Sequence, residues 1–196
     1  MNLGVTSNLS TAIYTYIHSY QGDQYWLTKP DVNEALLKEV DWKATKAALK
    51  SIPRQQRVFL TKHVCGMCGL GKFLKRWKEW QHDSCLRCGT REDASHIWLY
   101  NGQDTNLLWE KALIGLHEWM MKADTDPNIA HLIIETLTEW RNGNSISGNS
   151  TILQDLFERQ ELIGWQRFFE GWLTQEWARV QQSYYDLIHS RKRGRR

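Results

Sequence analysis

Residues 129–140, which read Ile-Ala-His-Leu-Ile-Ile-Glu-Thr-Leu-Thr-Glu-Trp, carry the strongest secondary-structure pattern of the chain. Within them Ile129, Leu132, Ile133, Leu137 and Trp140 recur at intervals of three and four residues, which places them on one face of an α-helix. A helix with one apolar face must bury that face against another element. The stretch therefore predicts a packed helical interior.

The same spacing continues on both sides of this stretch. Upstream, Trp109, Leu113, Leu116 and Met120 share a predicted helical face. Downstream, residues 142–150 are rich in Gly, Asn and Ser and predict a loop, and residues 152–189 predict one long helix. We expect Gly164 and Gly171 to be tolerated inside that helix as bends or close contacts. The apolar stripe of the long helix, expected to pack over residues 109–140, consists of Trp165, Phe169, Trp172, Val180, Tyr184 and Leu187.

Composition and charge limit the functional classes. The chain has 196 residues, 41% of them apolar and 11 of them tryptophan, which favours an extensively packed core. It shows neither a signal-peptide pattern nor the roughly 18 consecutive apolar residues of a membrane helix. We therefore expect a soluble, intracellular protein without a membrane partner. The net charge of +3 favours no partner by itself.

The cysteines lie in one short window as two Cys-x-x-Cys pairs, Cys65 with Cys68 and Cys85 with Cys88. In a reducing compartment this arrangement indicates a metal site before a disulfide. In Cys85-Leu-Arg-Cys88-Gly two thiols flank a tight turn, and His96 follows after seven intervening residues. Zinc takes four sulfur or nitrogen ligands in a tetrahedron, so the spacing predicts a zinc-knuckle-like site.

The fourth zinc ligand is left open by the sequence. A knuckle would place it three or four residues after His96, yet residues 97–101 read Ile-Trp-Leu-Tyr-Asn. We take Cys68 as the candidate, with Cys65, His63, His82, Asp104 or a water molecule as alternatives. A relic that has lost its metal and a redox pair are the competing interpretations of the cysteines. Catalysis is not favoured, because no acid or base stands at motif spacing beside the site, and Glu92 and Asp93 are as easily solvated loop residues.

Basic residues crowd the same window. The candidate nucleic-acid-binding residues are Lys72, Lys75, Arg76, Lys78 and Arg87. Residues 72–80 predict a short basic helix whose cations could pair with phosphates while Trp77 or Trp80 stacks on bases. The alternative is that these tryptophans anchor the helix to the core and that the lysines are only solvated. A second basic cluster closes the chain and fits either a solvated tail or a nuclear import signal.

These patterns predict a mainly α fold, a helical domain with a small Cys/His zinc-knuckle-like insertion. Residues 1–53 are interpreted as an N-terminal helical segment and residues 54–104 as the Gly-rich turn, basic helix and knuckle. Residues 105–189 are interpreted as a helical bundle and residues 190–196 as a basic tail.

Several short motifs together resemble the cysteine-rich region of reverse-transcriptase-associated proteins of eukaryotic retroelements, especially large families of unicellular algae. The motifs are Lys62-His63, Gly66-Met67-Cys68-Gly69, Gly71-Lys72-Phe73, Lys75-Arg76-Trp77, Cys85-x-Arg87-Cys88-Gly89, Glu92 and His96-Ile97. Residues 137–141 and Ile163-Gly164-Trp165, with Gly171, Trp177 and Gln181, are similar to the helical part downstream. The similarity spans about residues 41–189.

The resemblance implies a zinc-binding module that follows a polymerase domain and contacts nucleic acid. It places Cys85, Cys88 and His96 at ligand positions, and Tyr100 where the family has a fourth ligand, normally cysteine. The polymerase carboxylates are absent from this sequence, so the expected function is a non-catalytic accessory module that binds RNA or DNA. A helical protein-interaction scaffold, a decayed retroelement fragment and, more remotely, a zinc-dependent hydrolase or nuclease are the alternatives.

Overall fold

The computed structural model describes residues 22–29, 31–144 and 153–193, with side chains placed as far as residue 190. The predicted mainly α fold is confirmed: the described residues are mostly helical, and strand pairing among them is limited to isolated bridges such as Ser84 with Arg91. In this part of the chain, each helix is too short or too polar to cross a membrane. Most of the predicted 142–150 loop and the charged side chains of the basic tail lie outside the described residues.

The chain divides into two compact units, residues 1–40 and residues 41–196. The described part of the first unit contains helical residues 22–27 and helix α1, Glu34–Glu39. The side chain of Asn33 begins α1 by accepting a hydrogen bond from the amide of Leu36, 2.9 Å away. This contact satisfies one of the amides that the first turn of a helix leaves without a partner.

The second unit contains the remaining described helices, and it holds all the predicted site residues. They are α2 Trp42–Ser51, α3 Arg54–Val64, α4 Gly71–Arg76, α5 His96–Leu99, α6 Gln103–Lys122, α7 Pro127–Asn142, α8 Gln154–Ile163, α9 Trp165–Phe168 and α10 Glu176–Arg193. The predicted segment boundaries at residues 53, 104 and 189 stay predictions.

Helix α7 forms where the apolar periodicity predicts it, and local residues set its ends. The Asp126 carboxylate accepts a hydrogen bond from the Asn128 amide at 2.8 Å, and Pro127 occupies the first turn, where no amide donor is required. Gly143 ends the helix with a φ of +73°, a left-handed conformation that glycine adopts without strain. The buried residues of α7 are Ile129, Ala130, Leu132, Ile133, Thr136 and Leu137.

The hydrophobic core of the second unit lies between α6, α7, α8, α9 and α10. Helix α6 packs against α7, and α8 packs against both α9 and α10. The buried members of this core are Leu113, Met120, Ile129, Ala130, Leu132, Ile133, Leu137, Leu153, Leu156, Phe157, Trp165 and Trp177. Removal of these apolar side chains from water is the main stabilising term for this unit.

The prediction of one helix over residues 152–189 is wrong. Gly164 has a φ of +95° and Gly171 a φ of +80°, and neither value belongs to a right-handed helix. The chain therefore turns twice and forms α8, α9 and α10 in succession. The predicted stripe divides accordingly: Trp165, Phe169 and Val180 pack on the core, whereas Leu187 is 59% exposed.

A buried glutamine holds the second turn in place. The side-chain amide of Gln160 on α8 donates to the carbonyl of Trp172 at 3.0 Å. Its oxygen accepts hydrogen bonds from the Thr174 amide at 3.1 Å and from the Trp177 indole at 2.8 Å. Because an unmade hydrogen bond in a core is costly, this set of contacts fixes the turn between α9 and α10 against α8.

Candidate metal centre

The Cys85–Cys88 turn is a tight hairpin. The Cys85 amide donates to the Thr90 carbonyl at 2.7 Å, and the Gly89 amide donates to the Cys85 carbonyl at 2.9 Å. Gly89 has a φ of +73°, which a side chain would strain. The turn also points the Arg87 amide at the Cys85 sulfur, 3.5 Å away. The backbone thus supplies a donor that would stabilise a thiolate at this position.

The histidine enters the site on the short helix α5. The carboxylate of Asp93 accepts hydrogen bonds from the amides of Ser95 and His96, at 3.1 and 3.2 Å. Of the two roles that the sequence left open for Asp93, the solvated loop residue does not fit, because Asp93 is half-buried and fixes the start of α5. Gln166 adds a hydrogen bond from its amide to the hydroxyl of Ser95, 2.9 Å long. These contacts set the position from which His96 reaches the hairpin.

Cys85, Cys88 and His96 meet at one point. Their donor atoms all lie within 4.8 Å of one another, so the predicted convergence of these three residues is confirmed. Cys85 is buried, His96 is half-buried and Cys88 is exposed. Two thiolates and one imidazole at these distances could hold a metal ion.

Thr90 organises the cluster, although it is not one of the ligands predicted from the sequence. Its hydroxyl oxygen lies 3.0 Å from the Cys88 sulfur and 3.5 Å from Nδ1 of His96, whereas Nε2 of His96 lies 3.5 Å from the same sulfur. With Nδ1–H donating to Thr90, Nε2 of the imidazole is left to bind a metal ion. A histidine that binds a metal usually donates a hydrogen bond from its other ring nitrogen in this way. Hydrogen bonds from the Thr90 hydroxyl and amide also lower the pKa of the Cys88 thiol.

The other candidate ligands lie outside this cluster. Cys68 is buried, and burial raises the pKa of its thiol. His63 is only 3% exposed, its Nε2 accepts a hydrogen bond from the Trp98 indole at 3.2 Å, and burial lowers its pKa. Within the described residues, the Cys85, Cys88 and His96 group includes none of His63, Cys65, Cys68, His82 and Asp104.

Tyr100 stands where the resemblance led us to expect a fourth ligand. Its ring lies 5.5 Å from the His96 ring, centroid to centroid, at an angle of 49°. The ring also covers Gly102, where an added Cβ would come within 2.7 Å of a ring carbon. Tyr100 therefore packs beside the imidazole and supports its orientation.

Comparisons with protein-family models, with curated proteins and with solved structures find no match to this chain. The resemblance to reverse-transcriptase-associated proteins thus stays an expectation drawn from short motifs.

The predicted basic helix is docked directly onto the hairpin. The Glu92 carboxylate accepts a hydrogen bond from the Gly71 amide at 2.9 Å, and the Glu92 carbonyl accepts one from the Lys72 amide at 3.1 Å. A Cβ at Gly71 would lie 3.0 Å from both the Asp83 carbonyl and the Glu92 carboxylate, so any other residue here would require these neighbours to move by a few tenths of an ångström. Glu92 therefore joins α4 to the hairpin and is not simply a solvated loop residue.

The predicted nucleic-acid-binding residues surround this junction. Lys72, Arg76 and Lys78 are exposed on or just after α4, and Arg87 is exposed at the tip of the hairpin. Lys75 instead forms an ion pair with Asp83, with 3.2 Å between Nζ and the carboxylate. The Lys75 hydrogen bond is the main cause of the lowered pKa of Asp83.

Helix α4 is shorter than the predicted 72–80 helix. It ends at Arg76, because Lys78 adopts a φ of +64° and reverses the chain. The Glu79 amide then bonds to the Leu74 carbonyl at 2.9 Å, and the Lys78 amide bonds to the Lys75 carbonyl at 3.0 Å. This pair of bonds is a Schellman motif, in which lysine stands where glycine is usual.

Proposed function

We propose that this chain is a non-catalytic nucleic-acid-binding accessory module of retroelement origin, of the reverse-transcriptase-associated kind. The observation that carries the proposal is the docking of the basic helix α4 onto the hairpin that holds the Cys/His cluster. Glu92 and Asp83 make this junction through Gly71, Lys72 and Lys75. The Cys85–Cys88 turn, which could bind a metal ion, and a set of exposed basic side chains thereby belong to one structural unit.

Zinc is the metal that we propose for the cluster. Its preferred donors are thiolates and imidazoles, which are the groups that Cys85, Cys88 and His96 bring within 4.8 Å of one another. A zinc ion takes four ligands, so the fourth would be a water molecule or a group from outside this cluster. Zinc would hold the hairpin to α5 and so stabilise the unit that presents α4.

The nucleic-acid part of the proposal rests on charge and exposure. Lys72, Arg76, Lys78 and Arg87 are exposed within or beside the docked unit, and cations of this kind bind phosphates with the release of counterions. RNA and DNA share that backbone chemistry. We place this activity inside the cell, where thiolates stay reduced, and propose nuclear import through the basic residues 190–196.

Zinc binding is the first expected outcome. The purified protein should contain about one zinc ion per chain, and Cys88→Ser should lose most of it. Thr90→Val keeps the side-chain shape but removes the hydroxyl beside the Cys88 sulfur and His96 Nδ1, so zinc affinity should fall about 10- to 100-fold. Competition with a chromophoric chelator measures both effects.

Two variants control the zinc experiment. Thr90→Ser retains the hydroxyl and should keep near-parental affinity, while Thr61→Val removes an exposed hydroxyl on α3 and should change nothing. A zinc-free parent protein would reject the metal centre. Parental affinity in Thr90→Val would reject only the orienting role of Thr90.

Salt-dependent binding to RNA or DNA is the second expected outcome. Changing Lys72, Lys75, Arg76 and Lys78 together to Gln should weaken binding and flatten the plot of log affinity against log salt. Each phosphate contact contributes roughly 0.7 to 0.9 to that slope, so the loss of several contacts is measurable. Fluorescence anisotropy over a series of salt concentrations gives both quantities.

A matched variant separates the location of charge from its amount. Changing Lys43, Lys46, Lys50 and Arg54 to Gln removes the same formal charge from exposed positions of α2 and α3. It should leave most of the affinity intact, and thermal melting should show that both variants are folded. Equal losses in the two variants would mean that net charge, and not α4, governs binding. Absence of binding by the parent at low salt would reject the proposal.

A helical protein-interaction scaffold is the second candidate function. The observation that favours it is the exposure of large apolar side chains on α6, namely Leu107, Leu108, Ile114 and Trp119. Exposed apolar groups of this size are typical of surfaces that bind other proteins. If the parent protein failed to bind nucleic acid, the interaction scaffold would be the better-supported function.

A further inference from the structure

Trp77 combines exposure with neighbouring positive charge. It is the C-cap residue directly after α4, and it is 50% exposed. In the chain it stands between Arg76 and Lys78, which are both exposed. A half-exposed indole next to two cations offers an aromatic face and phosphate-binding groups at the same place.

The position of Trp77 is fixed by its surroundings. Its ring centroid lies 5.6 Å from that of Phe73, and a Cβ built on Gly69 would lie 3.8 Å from the edge of the indole. The Trp77 amide donates to the Phe73 carbonyl at 2.8 Å, and the backbone after Trp77 is held by the bonds of Lys78 and Glu79 to the last turn of α4. The indole is thus partly packed against protein and partly open to solvent, so little conformational entropy is left to lose on binding.

Other exposed tryptophans of the described chain lack this setting. Trp119 on α6 is 64% exposed, but its chain neighbours are Glu118 and Met120. The ring of Trp42 lies edge to face against that of Trp172, 5.2 Å away. The position of Trp77 beside the docked cations therefore distinguishes it.

We infer that Trp77 is a stacking platform for an unpaired base, and that the ligand is a single-stranded stretch of RNA or DNA. This inference rests on the proposed nucleic-acid-binding function and names the class of its ligand. An indole face stacks on any base, and one such contact changes affinity roughly 5- to 150-fold. Bases inside a duplex are already stacked on both faces, so a duplex gains only the phosphate contacts.

The test compares Trp77→Ala with the parent protein, using the full chain in its zinc-loaded form. The probes are short fluorescent single strands of RNA and of DNA, and a blunt duplex of the same length. The variant should bind both single strands about 5- to 150-fold more weakly with an unchanged salt slope, because no phosphate contact is lost. Its affinity for the duplex should change by less than about twofold. A loss of affinity for only one of the two single-stranded probes would assign the platform to RNA or to DNA.

Two further variants complete the test. Trp77→Phe keeps an aromatic face and should retain most of the single-strand affinity, while Trp119→Ala removes a still more exposed indole and should change nothing. Parental binding of single strands by Trp77→Ala, or an equal loss on the duplex, would overturn the platform and leave the proposed function standing. A parent that binds none of the probes would overturn both.

Discussion

Replacing Trp172 by alanine is expected to lower the free energy of unfolding by about 3–5 kcal/mol, the usual cost of removing a large buried aromatic side chain. Trp172 is only 1% exposed. Its ring meets Trp42 of α2 edge to face, and the guanidinium of Arg167 lies 4.7 Å from its centroid. Alanine would leave a cavity that these neighbours fill only in part. Urea unfolding measures the change.

Trp119→Ala is the matched control for this prediction. The same substitution at a side chain that is 64% exposed should change the free energy of unfolding by no more than about 0.5 kcal/mol. An unfolding midpoint of Trp172→Ala equal to that of the parent would contradict the packing of the 171–174 segment. That segment is also tied to α2 by the hydrogen bonds from the Asp41 amide to the Leu173 carbonyl and from the Thr45 hydroxyl to the Gly171 carbonyl.

Helix α7 was predictable because its determinants are local. The apolar spacing from Ile129 to Leu137 specifies the buried face, and all four predicted aliphatic residues of that face are buried. Gly143 marks the end through a conformation that glycine alone adopts without strain. Each of these signals lies within a few residues of the structure that it specifies, so the helix can be predicted from the sequence alone.

The long last helix was mispredicted because its turns depend on distant contacts. Glycine inside a helix costs only about 1 kcal/mol, so local propensity did not forbid helix at Gly164 or Gly171. The turn near Gly171 is stabilised by Gln160, which bonds to Trp172, Thr174 and Trp177 from another helix. The spacing of apolar residues carries no information on hydrogen bonds between distant segments. In the sequence, Gln160 is not distinguishable from other polar residues.

The candidate site likewise contains some residues that were predictable from local sequence and others that depend on distant contacts. Cys85, Cys88 and His96 were predictable, because a tight turn and a short helix bring them together over twelve residues. Thr90 had a weak signal, a hydroxyl directly after the glycine of the turn. Glu92 was missed, because its partner, the Gly71 amide, lies 21 residues away. Helix α5 is fixed in part by Arg141, which is more distant still.

Arg141 of α7 holds the C-terminal end of α5. Its guanidinium donates to the carbonyls of Trp98 and Tyr100 at 3.1 and 3.0 Å and to the Asn106 side chain at 2.9 Å. It also lies 4.8 Å from the centroid of the Trp109 ring. Burial lowers the pKa of Arg141, yet the group stays charged at neutral pH because the ordinary pKa of an arginine is far above 7. The last carbonyls of a short helix need such donors.

Arg141→Ala should therefore have two effects. It leaves the Trp98 and Tyr100 carbonyls without their donor, which should lower the free energy of unfolding by about 2–4 kcal/mol. It also frees the end of the helix that carries His96, so we expect zinc affinity to fall about 10- to 100-fold. Arg141→Lys should recover only part of either loss, since an ammonium cannot reproduce the planar set of donors. Urea unfolding and chelator competition measure the two effects separately.

Arg179→Ala is the control, because it removes an arginine whose side chain is 64% exposed and which pairs with Glu176 and with Asp155. Such a pair contributes at most about 1 kcal/mol, and Arg179 lies on α10, outside the Cys/His hairpin and α5. If Arg141→Ala lost stability but kept the parental zinc affinity, Arg141 would support the fold alone. A parallel loss of both would mean that α7, a helix of the core of the second unit, also sets the geometry of the metal centre, because the half-buried Arg141 lies on α7 and is bonded to the end of the ligand helix.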